Sequence, residues 1–159
     1  MSAENKKNSG SVLFVCLGNI CRSPIAEAVF AQLVREKGLD SRWKTDSAAT
    51  SDWNVGRKPD QRGRQLMKKK KVDMNHEARQ ISTDDFYAWD FILAMDDENM
   101  RNLSRVRPSD ATSVVQLLGD YDPEGVKVIE DPYYGDERDF ETVYDQCMRC
   151  CGAFLDQHS

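Results

Sequence analysis

An apolar run, Val12-Leu13-Phe14-Val15, passes directly into Cys16-Leu17-Gly18-Asn19-Ile20-Cys21-Arg22-Ser23, then into Pro24 and a helix-spaced stretch over 25–34. Consecutive apolar residues without alternation predict a strand buried on both faces, as in parallel sheets covered by helices on each side. Gly18 marks a tight loop. Ser23 is expected as the helix N-cap, with Pro24 at the first helical position. Strand, tight loop and helix N-terminus in that order aim backbone N–H groups and the positive end of a helix dipole at one point, which suits a tetrahedral anion. Cys16 and Arg22 frame that point.

The rest of the chain alternates strand and helix signals. Strands are expected over 43–48, 91–95 and 113–118. Helices are expected over 60–70, 83–89, 97–105 and 140–155, the first helix stops at Gly38, and a long loop covers 119–139. Such alternation implies parallel βαβ units on right-handed crossovers, with ligands bound outside the carboxyl ends of the strands where strand order reverses. Cys16, Ser47, Asp96 and the loop holding Asp131 all fall at or just after strand ends. No repeat or linker interrupts the pattern, so one domain is expected over 11–159, behind a frayed polar tail at 1–10.

Composition limits the function. No apolar run approaches the ~20 residues that span a bilayer, and residues 1–10 carry no apolar segment of the secretory type. The net charge is −5, without a dominant basic face, which argues against nucleic acid. Lys68-Lys69-Lys70-Lys71 reads as a solvated helix end. Five cysteines without a secretion signal point to a reducing cytosol rather than a disulfide framework. Cys147 and Cys150 have metal-like spacing, but only His158 lies near them as a further ligand. Helical spacing instead sets Cys147 and Cys151 on an apolar face with Phe140, Val143, Tyr144, Phe154 and Leu155, a core role.

A cysteine at a helix N-terminus beside a guanidinium is expected to stand as a thiolate. Its electrophile must be something the same positive pocket binds, and a phosphate ester fits. Arg22 can grip two oxygens while loop N–H groups take the rest. Attack by sulfur gives a cysteinyl-phosphate, and the same donors follow the charge as it moves. The leaving oxygen then needs a proton and the intermediate an activated water. One carboxyl group can serve both in turn. Asp131 is the candidate, on a long loop and followed by Tyr133 and Tyr134. Asp120, Asp122 and Asp136 compete and rank below it. Ser23 can donate a hydrogen bond to the Cys16 sulfur as it leaves.

The segment Val15-Cys16-Leu17-Gly18-Asn19-Ile20-Cys21-Arg22-Ser23-Pro24 resembles the signature of the low-molecular-weight protein tyrosine phosphatases. The likeness continues through Asp46-Ser47, Ser51-Asp52-Trp53-Asn54-Val55-Gly56-Arg57, His76 with Ala78-Arg79-Gln80, Ala94-Met95-Asp96 and Asp131-Pro132-Tyr133-Tyr134, over about residues 11–157. It implies an α/β, three-layer, flavodoxin-like fold: a four-stranded parallel sheet in the order 2-1-3-4 with about five helices. It also implies metal-free, cofactor-free phosphomonoester hydrolysis, acid phosphatase activity and a cytoplasmic location. By resemblance Cys16 is the nucleophile, Arg22 the phosphate clamp and Asp131 the general acid. Asn19, Ser23, Ser47 and His76 correspond to a hydrogen-bond network holding the loop, and Asp96 to a carboxylate that orients the arginine. Leu17, Gly18, Ile20 and Cys21 line the substrate cleft, with Trp53 as one wall and Tyr133 and Tyr134 as the other. Tyrosines at such positions are themselves phosphorylated in some members. A related branch that acts on phosphoarginine carries threonine where this chain has Ile20, and an apolar isoleucine favours a flat aryl group. Cys21 corresponds to a redox partner that protects Cys16 by forming a disulfide with it. Ala48 departs from the family glycine, and the segment from Met95 to Asp131 is slightly shorter than in mammalian members.

The partners implied are phosphotyrosine proteins, small aryl phosphates and inhibitory phosphate or similar oxyanions, with the chain monomeric or weakly self-associating. A reductase acting on arsenate shares the loop, but it needs two more cysteines on a flexible segment; residues 81–90 hold none. A phosphate-binding module without catalysis is disfavoured by the presence of Cys16, Arg22 and Asp131 together.

Overall fold

A computed structural model describes residues 10–158. Strand β1 (Gly10–Cys16) lies second in a four-stranded sheet, β1 to β4, of order 2-1-3-4; the others are β2 (Trp43–Ala49), β3 (Phe91–Ala94) and β4 (Val114–Leu117). All three pairings are parallel, with Cys16 opposite Ala49 and Val15 opposite Ala94. The flavodoxin-like arrangement implied by the resemblance is therefore the one found.

Five α-helices accompany the sheet: α1 (Arg22–Glu36), α2 (Gln61–Lys69), α3 (Asp85–Ala88), α4 (Asp97–Val106) and α5 (Glu137–His158). Side chains of β1 alternate between two apolar layers. Val12, Phe14 and Cys16 enter a core with Ile25, Val29 and Phe30 of α1 and Phe140, Val143 and Phe154 of α5. Leu13 and Val15 enter the opposite layer with Phe86, Trp89, Ile92 and Leu103. Val12 through Val15 are all fully buried, which is why this strand reads as an unbroken apolar run. Cys147, Cys150 and Cys151 are likewise fully buried within α5, so they pack the core as expected.

The structure corrects several boundaries. Helix α1 starts at Arg22, with Cys21 at the N-cap and no side-chain cap. Ser23 is thus inside the helix and caps nothing, and Pro24 is its third residue. The Ser23 hydroxyl is taken instead by Cys16 and Asn19. The expected 119–139 loop is shorter: a turn of 3₁₀ helix covers Leu118–Tyr121, and α5 opens at Glu137. Gly10, assigned to the tail, begins β1, while 1–9 lie outside the described residues. Asp60 caps α2, accepting from the Arg62 N–H at 2.9 Å. Gly38 ends α1 in a left-handed conformation, φ 71°, as helix-terminal glycine does.

After the 3₁₀ turn the chain doubles back. Gly119 lies so close to the Lys127 carbonyl that an added Cβ would sit 2.0 Å from its oxygen. Ile129 then donates to the Met95 carbonyl at the end of β3, 2.9 Å. This path delivers Asp131 to the carboxyl end of the sheet. Gly119→Ala should therefore cost about 2–3 kcal/mol and lower Tm by roughly 5–10 °C, because backbone rather than a flexible side chain must move. Gly152→Ala, in the interior of α5 with nothing within 4 Å of the added carbon, should raise stability by up to about 1 kcal/mol. Thermal unfolding of the two variants side by side checks both; equal Tm values would contradict the close approach at Gly119.

Candidate active site

Cys16 closes β1 and, 2% exposed, lines the floor of a cleft. Three carbonyls of the loop that follows are tied to neighbouring segments. Leu17 O accepts from Ser51 N and Oγ at 3.1 and 2.8 Å, Gly18 O from Asn54 Nδ2 at 3.3 Å, and Ile20 O from Asp60 N at 2.7 Å. The N–H groups of Gly18, Ile20 and Cys21 have no protein partner among the described residues. With its carbonyls occupied on the outside, the loop presents donors on the inside, where the α1 N-terminus adds its own.

Asn19 sets the curvature. Its φ is 58°, a left-handed conformation that asparagine tolerates better than most residues. Its side chain is bonded at both ends. Nδ2 donates to Ser23 Oγ (2.8 Å) and Ser47 Oγ (3.0 Å). Oδ1 accepts from His76 Nε2 (2.7 Å) and Arg79 N (3.1 Å). Its own N–H points at Cys16 Sγ, 3.2 Å. Ser23 Oγ lies 3.0 Å from the same sulfur. Since Ser23 already accepts from Asn19, its hydroxyl proton is free for sulfur.

Behind Asn19, Ser47 and His76 gather around Glu27, which the sequence did not single out. Ser47 donates to Glu27 Oε1 at 2.6 Å. His76 Nδ1 lies 3.2 Å from the same carboxylate and 3.9 Å from Asp46. Burial pushes the Glu27 carboxyl up to about 7 and pulls the His76 imidazole down. One proton on the line between them satisfies both. Arg79 closes the group, with Nε on Asp46 at 3.0 Å and its fork on Asp85 at 3.0 and 3.1 Å. Glu27, Asp46 and His76 also form the one group among the described residues with metal-like proximity, their ligand atoms within 4.8 Å. Each is already spent on Ser47, Arg79 or Asn19, so the trio reads as a support for the loop. The signal for Glu27 was available: on α1 it lies one helical turn past Ser23, on the same face.

Arg22 is 2% exposed, the largest fully enclosed side chain of the molecule among the described residues. Nη1 donates to Asp96 Oδ2 at 2.6 Å and to the Ile129 carbonyl at 2.9 Å. Asp96 is itself fixed by a reciprocal capping box with Asn99 at the start of α4. Burial opposes the guanidinium charge, but Cys16 and Asp96 outweigh it and raise its pKa. Nε has no partner among the described residues. A buried unmet donor costs about 1–3 kcal/mol. Two oxygens of an anion resting in the loop would meet this free edge side by side.

The cleft above, about 230 Å³ in volume, is lined by Leu17, Gly18, Ile20, Cys21, Trp53, Asn54, Asp131, Tyr133 and Tyr134 besides Cys16 and Arg22. The expected cleft residues thus come together, and Asn54 joins them. Asn54 also explains Gly18, where a Cβ would lie 2.7 Å from its Nδ2. Trp53 and Tyr134 are 69% and 94% exposed at the rim, and Tyr133 meets Tyr134 edge to face, centroids 4.9 Å apart. Asp131 is 40% exposed, with Oδ2 3.8 Å from Arg22 Nη2. Its competitors are occupied elsewhere. Asp122 is gripped by Arg149 at 3.0 and 3.1 Å, Asp120 pairs with Lys127, and Asp136 with Arg138. A pocket so built can hold a tetrahedral dianion against a sulfur, with one carboxyl at its mouth.

Known proteins show the same pattern. The family model for "Low molecular weight phosphotyrosine protein phosphatase" matches residues 11–158. A protein of that name from Gallus gallus is 56% identical over 92% of this chain and 94% of its own; the one from Homo sapiens is 54% identical over the same shares. Among solved structures, a protein tyrosine phosphatase from Entamoeba histolytica superposes with a TM-score of 0.90 at 33% identity, covering 94% of this chain and 96% of its own. A Drosophila arginine phosphatase gives 0.87 at 41% identity, over 93% and 97%. With its fold, its loop and its whole described length accounted for, the chain belongs to the low molecular weight phosphotyrosine protein phosphatase family of hydrolases.

Proposed function

We propose that this chain hydrolyses phosphotyrosine in proteins, and small aryl phosphates, without metal and through a phosphate ester of Cys16. The observation that carries the reading is the unpaired Nε edge of buried Arg22 facing an inward-turned loop above the Cys16 sulfur. Phosphate oxygens take that edge and the loop N–H groups. Sulfur attacks phosphorus from below, in line with the leaving oxygen above. Asp131 at the mouth protonates that oxygen and then, as carboxylate, draws a proton from water attacking the intermediate. As sulfur departs it recovers the Asn19 N–H and the Ser23 hydroxyl, 3.2 and 3.0 Å away, which stabilise it as thiolate. The side chains of Asn19, Ser47, His76 and Asp96 act only by holding this geometry.

Selectivity follows from the walls. A phenyl ring rising from the loop stands between Trp53 and Tyr133 and over Ile20, whose apolar side chain offers a guanidinium no hydrogen bond. Phosphotyrosine is therefore favoured over phosphoarginine. Inorganic phosphate and similar oxyanions inhibit by filling the loop. A cytoplasmic location follows from the same chemistry, since a free thiolate persists best in a reducing compartment.

Cys21 extends the reading to redox control. Burial and Asp60 push its thiol far up, so it is not the sulfur that peroxide attacks first. Peroxide converts Cys16 to a sulfenic acid with release of water. Cys21 then displaces the hydroxyl, and a second water leaves as the disulfide forms.

Four outcomes follow. Cys16→Ser should lose at least about 10⁴-fold in kcat while still binding phosphate; retained turnover would exclude a covalent step. A chelator should leave the rate unchanged, and full inhibition would refute the mechanism. Asp131→Ala should lose about 10²–10³-fold in kcat/KM on poor leaving groups and far less on good ones; equal losses would mean that another group is the acid. Mass mapping after mild peroxide should recover a Cys16–Cys21 disulfide; sulfonic acid at Cys16 without it would end the redox proposal.

A further inference from the structure

Arg62, the second residue of α2, touches none of the groups that hold phosphate, yet it joins both halves of the site. Its Nε and Nη2 grip Asp60 Oδ1 and Oδ2, each at 3.0 Å. Its remaining donors cross to the loop that carries Asp131: Nη2 to the Tyr133 carbonyl at 2.8 Å and Nη1 to the Gly135 carbonyl at 3.0 Å. The guanidinium lies over Phe140, 4.6 Å from the ring centroid, and 5.8 Å from that of Tyr133. Asp60 in turn donates its N–H to the Ile20 carbonyl of the phosphate loop, 2.7 Å. Tyr133 N–H closes the circuit on Asp131 Oδ1 at 3.1 Å.

We propose that Arg62 is a positioning residue that fixes Asp131 and the Tyr133 ring over the phosphate loop. The proposal rests on reading Asp131 as the general acid. Residues 131–135 have few other polar ties, and of their side chains only Pro132 is buried. Apart from the 3.8 Å approach of Asp131 to Arg22, their other polar contacts among the described residues are internal, Tyr133 to Asp131 and Gly135 to Pro132. The tie also calls for arginine in particular. A planar fork with five donors satisfies one carboxylate and two carbonyls at once, which the single ammonium of lysine cannot do. A general acid displaced by about 1 Å loses most of its proton-transfer advantage, so loosening this loop should hurt reactions that need the proton and spare those that do not.

The test measures kcat/KM, which covers steps up to departure of the leaving group, against aryl phosphates whose phenols span a wide range of acidity. Wild type, Arg62→Met, Arg62→Lys and Asp131→Ala are compared, with Tm and inhibition by inorganic phosphate recorded for each. Methionine keeps the stem over Phe140 and removes the fork. Arg62→Met should lose about tenfold on the most basic phenols and no more than about twofold on the most acidic, with phosphate inhibition changed by no more than about twofold. Its dependence on leaving group should tilt toward that of Asp131→Ala, and Arg62→Lys should fall between it and wild type. If Arg62→Met proves too unstable to assay, the lysine variant, which keeps the charge at Asp60, carries the test. A wild-type dependence in the Arg62 variants beside a steep one in Asp131→Ala would overturn this inference alone. A uniform loss on every substrate, or one accompanied by weakened phosphate binding, would also overturn it in favour of a structural role. A wild-type dependence in Asp131→Ala itself would instead overturn the reading beneath it.

Discussion

The hydrogen bonds at both ends of the Asn19 side chain hold its backbone at φ 58°. A left-handed non-glycine residue costs roughly 1–2 kcal/mol. Four bonds, each worth about 1 kcal/mol net, exceed that cost. The turn they hold sends the Asn19 N–H to the Cys16 sulfur and lets the neighbouring N–H groups face inward. Ser23, Ser47, His76, Glu27 and Arg79 are therefore one assembly with a single task, and a fault anywhere in it would be felt at Cys16. Building this support from polar groups on α1, β2 and the 76–79 segment makes the loop rigid, so an arriving anion meets donors already in place.

Arg22 solves a different problem. A guanidinium inside a protein needs counter-charge, yet one that satisfied all its donors would leave none for substrate. Asp96 and the Ile129 carbonyl both bind Nη1 and leave the Nε edge free. The doubly wound sheet makes this possible. Asp96 follows β3 and Cys16 ends β1, and these are neighbours at the point where strand order reverses. Ile129 is held against the end of the same β3 strand, and Asp131 follows two residues later. Sheet topology thus brings together clamp, counter-ion and carboxyl from three remote stretches.

Much of this was legible in the sequence because it rests on local order. The apolar run, Gly18, Pro24 and the Cys16–Arg22 spacing specify a strand, a turn and a helix, and no tertiary knowledge is needed to see that they converge. The alternation of elements was sufficient for the sheet. Ser23 was misplaced as a cap because propensity favours serine there, whereas here its hydroxyl is spent on sulfur and on Asn19. Asn54 and Arg62 were not visible as parts of the site, since each acts on backbone carbonyls of a distant segment and carbonyls carry no sequence signature. Glu27 stands between alanines on α1, and only its place one turn past Ser23 marks it. Among Asp120, Asp122, Asp131 and Asp136 only Asp131 lines the cleft that holds Cys16, a matter of the tertiary path of the chain, and Arg149, far along α5, could be matched to Asp122 only in three dimensions.

The central claim is that phosphate passes through the sulfur of Cys16. The direct measurement is rapid acid quench during turnover of an aryl phosphate, followed by mass mapping of the chain. The account predicts a phosphorylated peptide containing Cys16, formed within one turnover and decaying as phosphate is released. Phosphate trapped on another residue, or a chain left unmodified while a burst of phenol shows that a step after bond cleavage is the slower one, would contradict it.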